Sequence, residues 1–181
     1  MADDKLRVPG EERVRDFLKL ARVARLATSD HSGVPHNIPI CFWFDEVAYF
    51  YFVIDKKPKR LTSTGLKRIR TIAENPRAAL IIDHYEEDWS YLAYVLIHGQ
   101  AHLVEDPDDY MLALRNLRDK YPQYRAMVLS FERNPMIRIE VERVHTWGER
   151  FKTIHCRHEA GAGCWPYRRM TDHCQLVDSL S

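Results

Sequence analysis

Val47-Ala48-Tyr49-Phe50-Tyr51-Phe52-Val53-Ile54 is an unbroken apolar and aromatic run. β-branched and aromatic residues of this kind favour extended chain. A strand with one wet face would alternate, and this one does not. Both faces must therefore be covered, which suits a central strand of a barrel or sandwich. Asp45-Glu46 in front of it reads as a tight connection, and Asp55-Lys56-Lys57-Pro58-Lys59-Arg60 breaks it behind.

On the N-terminal side, Pro35 to Phe44 alternates, with Ile38, Ile40, Phe42 and Phe44 on one face and Asn37, Pro39, Cys41 and Trp43 on the other. Asp30-His31-Ser32-Gly33 is a turn whose glycine can take positive φ. Arg22 to Ser29 is a first strand, and Pro9 to Ala24 has Val14, Phe17, Leu18 and Ala21 at helical spacing. On the C-terminal side, Lys59 to Asn75 predicts a helix stopped by Asn75-Pro76. Strands follow at Arg77 to His84 and at Tyr91 to Val104, where Gly99 invites a bulge. Pro107 to Lys120 is a helix with Asp106 as N-cap, and Pro122 to Ser130 a short helix. Met136 to Trp147 alternates again, with Ile137, Ile139 and Val141 inward. Six strands in hairpins with helices at three connections predict a mostly β, antiparallel closed barrel. Periodicity ends near Thr153, so the expected organisation is one domain over 1–153 and a flexible tail over 154–181.

With 181 residues, 45% hydrophobic and 29% charged, the chain can build one packed core. A formal net charge of +1 argues against a dedicated nucleic-acid binder. No apolar run reaches the roughly 20 residues a membrane helix needs. The polar start Met1-Ala2-Asp3-Asp4-Lys5 has no signal-peptide pattern. The expectation is a cytoplasmic protein with no membrane partner. Cys156, Cys164 and Cys174, with His155, His158 and His173, match no paired zinc spacing, so no metal is expected. Cys41 reads as a small core residue.

The densest positive charge, Lys56, Lys57, Lys59 and Arg60 followed by Lys67, Arg68 and Arg70, straddles a strand end and a helix start. A solvated helix face and an anion site are the two readings. The free N–H groups of a helix start and the adjacent Tyr49-Phe50-Tyr51-Phe52 favour a flat ligand carrying a phosphate. Nucleophile-elbow, zincin, P-loop and dinucleotide-binding motifs are missing. His36 and His84 flank strands. Asp83-His84-Tyr85-Glu86-Glu87-Asp88-Trp89 is either a capped loop or the wall of a pocket or interface, because Tyr85 and Trp89 are costly to leave in water.

Arg25-Leu26-Ala27-Thr28, Gly33-Val34-Pro35-His36-Asn37-Ile38-Pro39, Asp55-Lys56-Lys57-Pro58-Lys59, Asn75-Pro76-Arg77, the 83–89 segment and Gly99-Gln100-Ala101 together resemble the pyridoxamine 5′-phosphate oxidase-like split β-barrel superfamily. More narrowly they are similar to its branch of enzymes dependent on the deazaflavin coenzyme F-420. The resemblance covers residues 10 to 147. It implies a homodimer with cofactor sites at the subunit interface, the phosphate on Lys56, Lys57, Lys59 and Arg60, and the ring near Asn37, Pro39, Tyr51 and Val53. Arg77 is a further contributor. It implies hydride transfer from the reduced cofactor to a small organic acceptor, with no protein nucleophile. His36, His84, Tyr85 or water are the candidate proton donors. The alternatives are an FMN-binding oxidoreductase of the same fold, and a non-catalytic flavin, deazaflavin or haem-binding protein.

Overall fold

The stretch 35–44, read from sequence as one strand, folds as two. In this computed structural model, which describes residues 12–54 and 63–151 (side chains of the second stretch from Arg68 onward), the chain runs through these elements. They are α1 (Glu12–Leu20), β1 (Ala24–Ser29), β2 (Pro35–Ile40), β3 (Trp43–Phe44), β4 (Tyr49–Val53), α2 (Ser63–Glu74), β5 (Arg77–His84), β6 (Ala93–Leu103), α3 (Pro107–Lys120) and β7 (Met136–Trp147). All strands join one antiparallel sheet in the order β2-β1-β5-β6-β7-β4-β3. Among the described residues the sheet therefore has seven strands, against the six expected.

The break closes the sheet. β2 and β3 are its two edges, yet Ile40 and Trp43 are three residues apart, a span of at most about 10 Å. The sheet must curl until its edges approach, giving a split barrel. At the seam, Cys41 and Phe42 have no ladder partner, and one hydroxyl substitutes for a strand. Tyr121 Oη accepts from Phe42 N (3.0 Å) and lies 2.9 Å from the carbonyl oxygens of both Phe42 and Arg22, to either of which it donates. Burial pushes its pKa up to about 12. Arg22 stacks over the Tyr121 ring, and Lys120 Nζ sits 3.9 Å from the centre of the Phe42 ring while donating to Leu18 O.

The two-faced apolarity of β4 has a direct cause. Phe50 and Phe52 point into the barrel with Leu26, Phe42, Leu80, Ile82, Ile97 and Ile137. α1 adds Val14, Phe17 and Leu18 to this interior, and α2 adds Ile72 with Ile69 packed against it. Tyr51 and Val53 point outward, where α3 covers them with Tyr110, Ala113, Leu114 and Leu117. The inward set on the 35–44 stretch survives the strand break, since Ile40, Phe42 and Phe44 are all in the core. Cys41 and Trp43, on the other face, pack against the cluster under α3.

Gly99 sits at the β6–β7 bulge, where an added Cβ would lie 2.0 Å from the Glu140 carbonyl oxygen. Gly33 takes φ 81° in the β1–β2 turn, and Asp106 accepts from Asp108 N as the N-cap of α3. The other departures are at ends. α1 stops at Leu20 because Ala24 already pairs with Ile40. The described helix after the basic run is Ser63–Glu74, and the expected helix at 122–130 is a single 3₁₀ turn, Pro122–Arg125. The tail expected over 154–181 lies outside the described residues.

Candidate functional site

Successive outward residues of paired strands line up in rows across the outer face of β2, β1, β5, β6 and β7. One row is Asn37, Ala27, Ala79, His98 and Arg143. The next is Pro39, Arg25, Ile81, Leu96 and His145, and beyond it lie Asp83, Tyr94 and Trp147. Rows are about 7 Å apart, two residues along a strand. α1 and α2 pack into the barrel interior and α3 covers β4, so among the described residues no helix lies over these rows. Ala27, Ala79, Ile81 and Leu96 are only half-buried, and the facing alanines leave a shallow apolar strip between Asn37 and His98.

Asn37 and Pro39 are exposed on this face, and Arg77, opposite Gln100, is exposed one step beyond the Asn37 row. Tyr51 and Val53 are not brought to them. Both are buried beneath α3, and Tyr51 Oη donates to Asp109 Oδ1 (3.0 Å), whose other oxygen takes Arg138 Nη1 (3.2 Å). Burial first, and then the Asp109 carboxylate, push the Tyr51 hydroxyl far above its ordinary range. The expectation that a ring lies against Tyr51 and Val53 fails in this chain because α3 already occupies their face. Lys56, Lys57, Lys59 and Arg60 lie outside the described residues. Arg70 pairs with Glu74 one helical turn on.

His36 stands at one end of the barrel, beside a cavity of about 60 Å³ lined by Thr28, Asp30, Val34, Arg68 and Thr71. His84 stands at the other end, its Nε2 3.2 Å from Glu86 Oε2, next to Tyr85, whose hydroxyl donates to Glu87 at 3.4 Å. His36 is level with Ala78 through Thr28, and His84 lies six residue steps along β5 from Ala78, about 20 Å. Within one chain these histidines cannot serve one reacting atom. The 83–89 segment is a capped loop. Asp88 accepts from Ser90 N (3.0 Å) and Ser90 Oγ (2.7 Å), which holds its carboxyl below the usual range. Tyr85 and Trp89 are 65% and 72% exposed, so among the described residues they wall no pocket.

Sequence reading missed two features of this face. Arg25 of β1 is ion-paired with Asp83 of β5. Tyr94 and Trp147 stack with ring centroids 5.7 Å apart and planes 15° from parallel. Alternation puts each residue outward, but only strand pairing makes them neighbours.

The profile of the pyridoxamine 5′-phosphate oxidase family matches residues 11–148. The chain belongs to that family. A relative within reach of sequence comparison is the 5a,11a-dehydrotetracycline/5a,11a-dehydrooxytetracycline reductase of Streptomyces rimosus subsp. rimosus, 26% identical over 142 residues, 78% of this chain and 84% of the relative. Among solved structures, a haem-binding protein from Mycobacterium smegmatis superposes with TM-score 0.60 at 21% identity, over 79% of this chain and 55% of that one. An FAD-binding protein from Mesorhizobium loti superposes with TM-score 0.55 at 19% identity, over 78% and 95%. These likenesses establish the split barrel of the family, and at such identity they carry the fold alone.

Proposed function

We propose that the chain is an oxidoreductase that uses coenzyme F-420, held on the uncovered sheet face of a homodimer, to reduce a small organic acceptor. The observation that carries this reading is the strip in which Ala27 faces Ala79 between Asn37 and His98. Small side chains let a flat ring approach the backbone, and the flanking amide and imidazole offer hydrogen bonds to its edge. The relationship to a reductase over most of both chains supports the redox class. When bound, the deazaflavin supplies hydride from its ring carbon. The chain's own part is to bind and orient it. Lys56, Lys57, Lys59 and Arg60, in the segment between β4 and α2, hold the phosphate and acidic tail, and Arg77 flanks the ring. A second copy covers the half-exposed Ala27, Ala79, Ile81 and Leu96. The proton that follows the hydride comes from His36 if the acceptor lies at that end of the sheet. It comes from His84, Tyr85 or water if the acceptor lies at the other.

Parallel fluorescence titration of the purified protein with F-420 and with FMN tests the assignment. Preferential binding of F-420, weakened by salt more than riboflavin binding is, is the expected result. Tight FMN binding with none of F-420 overturns it in favour of the flavin reading, which the likeness to an FAD-binding protein favours. A Soret band on haem addition, without turnover of reduced F-420, would favour the carrier reading suggested by the haem-binding neighbour.

A further inference from the structure

The Asp83–Tyr94–Trp147 row ends in a corner that the cofactor reading leaves unused. Trp147 is half-exposed and stacked on Tyr94, and His145 lies 6.0 Å from Tyr94 between ring centroids. The turn Trp89–Tyr91 lies against the turn Glu149–Phe151 that follows β7. An added Cβ on Gly148 would lie 2.5 Å from Leu92 O and 2.9 Å from the Ala93 Cα. Trp89 and Tyr91 are exposed on the loop that leads into β6. Aromatic surface of this extent is costly in water and suits a flat ligand.

The charge around it is one-sided. Over residues 78–92, the rest of β5 and the loop into β6, the sequence contains no Lys or Arg, against four Asp and Glu. Glu86, Glu87 and Asp88 are exposed on the loop that rims the corner. Among the described residues near this end, Arg25 is tied to Asp83, and Arg150 sits over the Phe17 ring. Arg143 projects two rows away, level with His98. An electron-rich ring face beside carboxylates that, among the described residues, pair with no Lys or Arg attracts a cation.

We propose that this corner docks a planar polycyclic substrate bearing a positive charge, its rings stacked on Trp147 and its charge held by the carboxylates of the 86–88 loop. The inference rests on the proposed function, since it names the substrate class for that enzyme. It also puts the acceptor two rows from the Asn37 strip, on the His84 and Tyr85 side.

Binding of two probes with the same three-ring skeleton tests it, followed by fluorescence anisotropy on cofactor-free protein. The probes are the cation 9-aminoacridine and the anion 9-anthracenecarboxylate. At low salt the cation should bind at least about tenfold more tightly, and the preference should shrink at high salt. Trp147→Ala should weaken both probes about tenfold. Combined Glu86→Gln, Glu87→Gln and Asp88→Asn should abolish the preference while keeping the stacking. These loop substitutions are exposed and keep the Ser90 cap, so they decide the matter even if Trp147→Ala fails to fold. Equal affinity for the two probes overturns the inference. So does a Trp147→Ala variant that binds them unchanged, or one that alters only the sedimentation coefficient, which would make the corner a subunit contact. F-420 binding without cation preference sinks this inference alone. Cation preference without F-420 binding sinks the cofactor assignment and leaves the platform.

Discussion

Tyr121→Phe removes one oxygen and leaves the ring, which makes it a sharp test of how the barrel closes. In the native seam that hydroxyl accepts from Phe42 N–H and donates to the carbonyl of Phe42 or Arg22. Phe42 is fully buried, so water does not replace the lost acceptor. A buried N–H left unsatisfied costs about 1–3 kcal/mol, and the loss of a donor to the carbonyl pair adds about 1 kcal/mol. The ring still packs on Tyr124 and under Arg22, so the cavity is negligible. The sum is about 2–4 kcal/mol, which for a chain of this size lowers Tm by roughly 5–15 °C. Urea unfolding should show the same loss as a shifted midpoint at unchanged slope. Hydrogen exchange at the Phe42 amide should accelerate. Tyr91→Phe, at a 56% exposed ring, is the control and should change stability by less than about 0.5 kcal/mol. A Tyr121→Phe protein as stable as the control would show that the seam is held by packing, and that the hydroxyl bridge contributes nothing.

The neighbouring Lys120 has its pKa brought down to about 8, chiefly by burial and then by Arg22. Below pH 8 the folded state bears the cost of a buried ammonium, and from pH 8 toward 10.5 the unfolded chain holds the extra proton, so this group's contribution to stability rises with pH. Lys120→Met should be the more stable protein relative to wild type at pH 7, and the gap should narrow by pH 10 in paired melting curves. Tyr121 acts oppositely, losing stability as pH climbs from 10 toward 12, so the comparison is made below pH 10. Gly99→Ala places a methyl 2.0 Å from the Glu140 carbonyl oxygen, and should lower Tm sharply or prevent soluble expression, whereas Gly33→Asn, at φ 81° with open space around it, should be tolerated. Lys57→Ala combined with Arg60→Ala should weaken F-420 binding by about tenfold or more at nearly constant Tm. An unchanged dissociation constant removes these two residues from the site.

Much of the fold was legible because the signals were local. Arg77–His84, Pro107–Lys120 and Met136–Trp147 were read to the residue, each bounded by a proline, a cap or a clean alternation. Gly99 was read as a bulge or bend because a glycine inside a strand marks such an irregularity, and the register shift at His98/Gly99 is the bulge. The 35–44 stretch misled because alternation continues through Cys41 and Phe42, although the ladder stops there. Tyr51 misled for a related reason. Apolar residues on both faces of β4 say that something covers each face, and sequence does not say whether the cover is a ring cofactor or a helix of the same chain.

Sequence by itself determined the strands other than the break between β2 and β3, the cap of α3 and the inward alternation, because those follow from backbone preference and period. It also determined where positive and negative charge collect along the chain. Tertiary structure alone decided that α3 covers Tyr51 and Val53, and that no helix among the described residues covers the outer face of β2, β1, β5 and β6. It alone brought Arg25 to Asp83 and Tyr94 to Trp147, since these pairs lie dozens of residues apart and meet only through strand register. Register is set by the packing of the whole barrel, and no window of neighbouring residues contains it.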